Sequence, residues 1–274
     1  MVINKSSLQR TALVALSLEL LTTASFPMLA QARALNQKEL ARREVSNYAT
    51  HFPGSRGGMF SISQARAVRF RVPNVGRPLR REAAAVRGGC SNSTNEKLVA
   101  LLPETEPALT VAEYPTIFVF LPQTSAKEAE FLLVKDNNTE KEVLYETTVT
   151  LPSNSGIVSV SLPNNGTLPP LEVGKSYYWY FSVICDPQDR TTEPTVEGPI
   201  QRVEPSPNLV AKLKNASPRD RVALYAEAGF WYDAINSIAQ LRRSSPNDTV
   251  IAADWTELLK SVGLDTISQK PLIP

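Results

Sequence analysis

The sequence predicts an α+β protein, in which an antiparallel β-sandwich is followed by a C-terminal helical hairpin or three-helix unit. Three observations carry this expectation. Short β-rich runs recur between turn residues from residue 116 to 203 with no helical pattern between them. One of them, Tyr177 to Cys185, alternates strictly, and after Pro207 the signals turn helical. Several short strands at such spacing, without helices between them, point to an immunoglobulin/fibronectin-like sandwich.

The strands are expected at residues 116–121, 130–135, 143–149, 156–162, 176–185 and 198–203, with an entering strand from Val68 through Phe70 and Val72. Asp136-Asn137-Asn138, Pro152-Ser153-Asn154, Pro163-Asn164-Asn165-Gly166 and Asp186-Pro187 supply the turns. In the clearest strand, a period of two places Tyr177, Trp179, Phe181, Val183 and Cys185 on a core face. Tyr178, Tyr180, Ser182 and Ile184 fall on the other face.

Ser217-Pro218 followed by Asp220 starts a helix that Gly229 stops. A second runs over residues 231–242 and ends at Ser244-Ser245-Pro246. A third starts at Asp248 or Thr249, carries Ile251, Trp255, Leu258, Leu259 and Val262, and ends at Gly263. Residues 226–234 look like one turn-and-helix of a tetratricopeptide unit, but no second copy follows at that period, so they read as a local hairpin. Three short helices do not bury their own apolar faces, so they are expected to dock on the sandwich and cover Tyr178 and Tyr180.

The 274 residues, 42% of them hydrophobic, suffice for one good core or two small ones. The expected order is an export signal over residues 1–32, a basic linker over 33–67, the sandwich over 68–205 and the helical unit over 206–274. Lys5 and Arg10, the apolar run 12–21 interrupted by Glu19, and Ala30-Gln31-Ala32 read as a cleavable signal. The apolar run is about half the ~20 residues that span a bilayer. The mature chain would begin at Arg33 and reside in the periplasm or outside the cell. In such an oxidising compartment Cys90 and Cys185 are expected to pair as a structural disulfide. Nothing resembling C-x-x-C suggests a redox pair.

The formal charge of +2 hides an asymmetry. Residues 33–90 hold twelve Lys and Arg against Glu39, Glu44 and Glu82, a net of +9, whereas residues 91–274 carry a net of −8. Arg66, Arg69, Arg71, Arg77, Arg80, Arg81 and Arg87 are all arginine, which suits forked hydrogen bonds to carboxylate or phosphate. Arg77, Arg80, Arg81 and Arg87 are the candidate anion contacts. The competing reading is internal pairing with the acidic body. Tyr178 and Tyr180 are candidate ligand contacts for a sugar or peptide, should no element cover them.

Chemistry is scarce. The only histidine, His51, lies in the expected linker, which argues against histidine-dependent triads and the common zinc sites. No dinucleotide, P-loop or calcium-loop signature is present, so no cofactor or metal is expected, and the balanced total charge gives no nucleic-acid partner. Paired carboxylates remain, with Asp186 and Asp189 the best candidates, though Asp186-Pro187 also reads as a plain turn.

Taken together, Pro73-x-x-Gly76-x-Pro78, Arg87-Gly88-Gly89-Cys90, residues 98–103 and 115–122, Glu130-Phe131, Gly156-Ile157, Trp179, Cys185 and Tyr225-Ala226-x-x-Gly229-Phe230-Trp231-Tyr232-Asp233-Ala234 occur in an order that resembles one family. It is the cyanobacterial exported proteins grouped as domain of unknown function 928. The resemblance spans residues 70–274 and implies an exported bacterial context without assigning an activity or a functional residue. The expected function is therefore an exported, non-enzymatic envelope or extracellular module that binds or builds. Its expected partner is an anionic envelope polymer, a polysaccharide or an envelope protein. The alternative is a carboxylate-dependent hydrolase or other carbohydrate-active enzyme.

Overall fold

The computed structural model describes residues 68–72, 78–83, 90, 96–105, 107–136 and 141–273. The expected signal and linker, and the arginines at 77 and 87, lie outside these residues. Two sheets face each other across the core. One holds β1 (Val99–Ala100), β3 (Thr116–Leu121) and β6 (Gly156–Ser161) in the order β1-β3-β6. The other holds β2 (Leu109–Thr110), β4 (Glu128–Asp136), β5 (Lys141–Thr150), β7 (Ser176–Val183) and β8 (Thr195–Arg202) in the order β2-β8-β7-β4-β5. The α+β class, a sandwich followed by helices, is as expected.

Three details differ. The two-residue strands β1 and β2 are too short for a periodic signal, and β2 pairs with β8 in parallel, so the larger sheet is mixed. No entering strand forms at residues 68–72. There the Phe70 amide donates to the Ser261 hydroxyl at 2.9 Å and the Arg71 amide to the Ala226 carbonyl at 3.0 Å. Helix ends, not a sheet edge, take up this backbone. The third difference is a fourth helix, α1 (Pro207–Asn215), which precedes α2 (Pro218–Ala228), α3 (Trp231–Ser244) and α4 (Thr249–Lys260). Ser206 caps α1 through the Leu209 amide as Ser217 caps α2 through the Asp220 amide. With nine residues, α1 packs only one apolar pair at helical spacing, Leu209 and Leu213, too little for the period to stand out in sequence.

The helices do not cover Tyr178 and Tyr180. They dock on the side where Trp179 lies, and Gly198 makes room for that indole: a Cβ there would meet Leu102 and would stand 2.7 Å from the Trp179 ring. The room it leaves lets the fully buried Trp179 donate its indole N–H to the Tyr232 hydroxyl at 2.9 Å. Tyr232 in turn donates to the Pro199 carbonyl at 2.7 Å. That carbonyl is free because β2 reaches only Gln201 and Arg202 of β8, and the same absence of a neighbour lets a proline sit in the strand. The adjacent Trp231 donates its indole N–H to the Leu101 carbonyl at 2.7 Å, and Phe70 meets the Trp231 ring edge-on at 5.0 Å. Trp179, Trp231, Trp255, Phe120 and Phe131 thus belong to one continuous core that both sheets and the helices share.

Cys90 and Cys185 are bridged. Cys185 lies two residues past the end of β7 and is half-buried rather than an inward member of the strand. The Cys90 carbonyl accepts from the Thr124 hydroxyl at 2.9 Å and the Ser125 amide at 3.2 Å, so the bridge joins the end of β7 to the β3–β4 loop.

Replacing Tyr232 by Phe removes the link between Trp179 and Pro199 and leaves two buried groups unpaired. Each such orphan costs about 1–3 kcal/mol. Calorimetry of Tyr232→Phe is expected to show one transition, lowered by roughly 2–4 kcal/mol in unfolding free energy. Two transitions, with the sandwich unaffected, would show the helices to be a separate unit.

Candidate functional site

Of the four arginines expected to contact an anion, two are placed, and they differ. The Arg81 guanidinium donates to the carbonyls of Leu102 at 3.0 Å, Val262 at 2.6 Å and Gly263 at 3.4 Å, and to the Glu104 carboxylate at 3.0 Å. It fastens the segment 78–83 to the chain after β1 and to the end of α4, and its burial lowers its pKa against the pull of Glu104 and Glu82. Arg80 is exposed at the rim of a cleft of about 680 Å³, where Lys97 pairs with Glu82 at 2.7 Å. Arg69 approaches Glu257 at 4.0 Å. The internal reading therefore holds for Arg81.

The candidate carboxylates have local duties. Asp186 accepts from the Gln188 amide at 2.8 Å. Asp189 accepts from the Thr191 amide at 3.0 Å and from its hydroxyl at 2.6 Å, capping a 3-10 turn, and these bonds lower its pKa. Both therefore serve the turn that follows β7.

The outer face of the five-stranded sheet is different. Strand register arranges its side chains in rows running across β5, β4, β7 and β8. The first row is Val143, Val134, Tyr178 and Pro199; the second is Glu146, Leu132, Tyr180 and Glu197; the third is Thr148, Glu130, Ser182 and Thr195. The face thus grades from apolar, through an apolar pair flanked by carboxylates, to hydroxyl-rich. Tyr178 and Tyr180 are half-buried, about two residues' rise apart, and Val143 is 55% exposed.

A register shift creates this arrangement. Tyr145, Thr147 and Val149 point inward, so strict alternation would send Val143 and Lys141 inward as well. Leu144 is skipped between the pairs Leu133↔Tyr145 and Val134↔Val143, and the side chains beyond it exchange faces. Lys141 arrives on the tyrosine side. Its ammonium donates to the Tyr180 hydroxyl at 3.0 Å and lies 5.9 and 5.6 Å from the Tyr178 and Tyr180 ring centres. That hydrogen bond, with Glu197 and Asp136 nearby, raises its pKa.

Sequence reasoning singled out the two tyrosines but missed Lys141, Leu132, Val134, Glu146 and Glu197, which come from three other strands. Alternation within each strand was readable, but the cross-strand register that makes them neighbours was not. It also missed Asp233 in the first turn of α3. This carboxylate accepts from the Val111 amide at 3.0 Å, and from Thr110 and Ala112, directly after β2. Burial nevertheless pushes its pKa up to about 6.

Among known proteins, a family model described as Domain of Unknown Function (DUF928) matches residues 82–272. No curated protein matches the chain. Among solved structures, the solution structure of the fn3 domain of human collagen alpha-1(XX) chain is 13% identical, with 45% of this chain and 94% of that chain covered. Its TM-score of 0.23 is too low to carry an argument.

Asp233 makes stability pH-dependent in a stated direction. Its folded pKa of about 6 lies above its ordinary value of 3.8. The folded state therefore favours the protonated carboxyl, and this contribution, fully present below about pH 4, is lost as pH rises through about 6. Asparagine keeps the acceptor oxygen without the charge. Unfolding of Asp233→Asn followed from pH 4 to 8 is expected to match the native chain at the acid end and exceed it in stability at pH 7–8. A variant less stable at every pH would show that the amides of Val111 and Ala112 require the charge.

Proposed function

The chain belongs to the DUF928 family, and from that premise, which prescribes no reaction, we propose that it is an exported, non-enzymatic module that binds a polysaccharide of the cell envelope or surroundings. The observation that carries this reading is the pair Tyr178 and Tyr180, left uncovered by the helices on a sheet face with apolar neighbours and polar flanks. Aromatic rings offer the C–H faces of pyranose rings a flat apolar surface at small entropic cost, while carboxylates and hydroxyls at the sides accept and donate to the sugar hydroxyls.

The non-enzymatic part is supported by the local duties of Asp186 and Asp189. It is also supported by the state of the face's own carboxylates: Glu130, the diagonal neighbour of Glu146, is held in a fork by Arg190. Glu146 and Glu197 stand three strands apart, roughly 14 Å at about 4.8 Å per strand. Glycoside hydrolysis uses pairs about 5 to 9.5 Å apart. Export is supported by the basic, apolar and small-residue order of residues 1–32 and by the Cys90–Cys185 bridge, which an oxidising compartment favours. No helix among the described residues is long and apolar enough to cross a membrane. The basic residues before Cys90 suit a salt-sensitive tether to an anionic surface.

Two measurements test the reading. Mass spectrometry of the protein recovered from outside the cytoplasm is expected to find a start at Arg33, and an intact residue 1 would overturn export. Affinity electrophoresis in gels containing soluble plant and bacterial glucans is expected to show retardation that Tyr178→Ala and Tyr180→Ala each reduce at least fivefold and together abolish. Retardation unchanged in the double variant would move binding elsewhere on the molecule.

A further inference from the structure

The charges on the outer face say which kind of polysaccharide it accepts. Of its two described cations, Arg190 is neutralised by carboxylates and Lys141 is only held in place. Lys141 is held by the Tyr180 hydroxyl and lies over both rings, and Arg190 is forked onto Glu130 at 3.3 and 3.1 Å and paired with Glu193 at 2.5 Å. Glu146 and Glu197, by contrast, are exposed at the two ends of the row that contains Leu132 and Tyr180. Among the described residues neither enters a salt bridge, and Glu197 acts on Lys141 only through space. A chain lying along this row passes from one carboxylate, over apolar surface, to the other.

We propose that the ligand of this face is an uncharged polysaccharide strand, and that Glu146 and Glu197 are specificity-determining residues that reject polyanions. The proposal rests on the glycan-binding reading above and deepens it. Carboxylates accept hydrogen bonds from sugar hydroxyls at about twice the strength of neutral acceptors. Toward a uronate or sulfate the same groups are repulsive, and among the described cations of the face only Lys141, one charge against two, is left to offset them. For exposed charges roughly 6 Å apart in water, the repulsion is about a threefold loss of affinity per carboxylate. Within the face, Lys141 serves as a positioning residue. Its ammonium orients the Tyr180 hydroxyl and is displaced from above the rings when a sugar stacks there.

The test uses the full chain with cellohexaose and hexagalacturonate in about 0.15 M salt. Because the basic residues before Cys90 attract polyuronate on their own, binding at the face is taken as the part lost in Tyr178→Ala/Tyr180→Ala. Cellohexaose is expected to bind there at least tenfold more tightly than hexagalacturonate. In Glu146→Gln/Glu197→Gln that ratio is expected to fall roughly ninefold, through a gain for hexagalacturonate, while cellohexaose changes by no more than about threefold. Both substitutions are at exposed positions, and an unchanged melting temperature certifies the fold. Equal binding of the two oligosaccharides, tighter binding of hexagalacturonate, or a ratio unmoved by the substitutions would each overturn the charge rule while leaving a glycan-binding face. No face-specific binding of either oligosaccharide would overturn the glycan reading itself, and the charge rule with it.

Discussion

The structure depends on the first turn of α3. Over three consecutive residues the chain spends an indole N–H on the carbonyl of Leu101 after β1, a phenol on the carbonyl of Pro199 in β8, and a carboxylate on the amides that follow β2. Each partner is a backbone group at a place where a sheet has run out of strand. A two-residue β1 and a two-residue β2 leave sheet edges that would otherwise face solvent or stay unpaired. The helix layer closes them. Gly229 makes the turn possible, because its left-handed φ of 83° ends α2 and lets α3 begin two residues later, at Trp231.

This gives the most distinctive motif in the chain, Gly229 to Ala234, a structural duty. The side-chain polar groups of Trp231, Tyr232 and Asp233 hold the layers together, and Trp231, Tyr232 and Ala234 help fill the shared core. The same economy governs Arg81, whose two terminal nitrogens donate to three carbonyls and a carboxylate rather than to an outside anion. A run of arginines in sequence states the supply of donors, not their destination. With carbonyls left unpaired at the end of α4 and after β1, the local demand was already there.

The six long strands and three of the four helices were legible because each has its own period or cap: Tyr177 to Val183 alternates, Ser217-Pro218 starts α2, and Asp248 starts α4. What stayed hidden has no period. β1, β2 and α1 are too short for one, and residues 68–72 take their shape from Ser261 and Ala226, 191 and 155 residues away from Phe70 and Arg71 in sequence. The outer face was half legible. Tyr178 and Tyr180 stood out by alternation alone, but the side on which the helices dock is marked by long-range bonds such as those of Tyr232 to Trp179 and Pro199, which no apolar pattern shows.

The register shift at Leu144 shows how one residue can separate structure from function in such a sheet. On the Tyr145 side of it β5 obeys the core, turning Tyr145, Thr147 and Val149 inward; beyond it the strand has left the core's constraint and presents Lys141 and Val143 outward. β5 is an edge strand, bonded only to β4, so its end can twist without breaking a second ladder. A bulge at that position costs little stability and decides whether a cation stands over the tyrosines. The inner rows of the sheet are fixed by packing against β3, β6 and α3, and they tolerate little change. The outer rows are covered by no helix, and their exposed positions, Val143, Glu146 and Glu197, are where composition can change without loss of the fold.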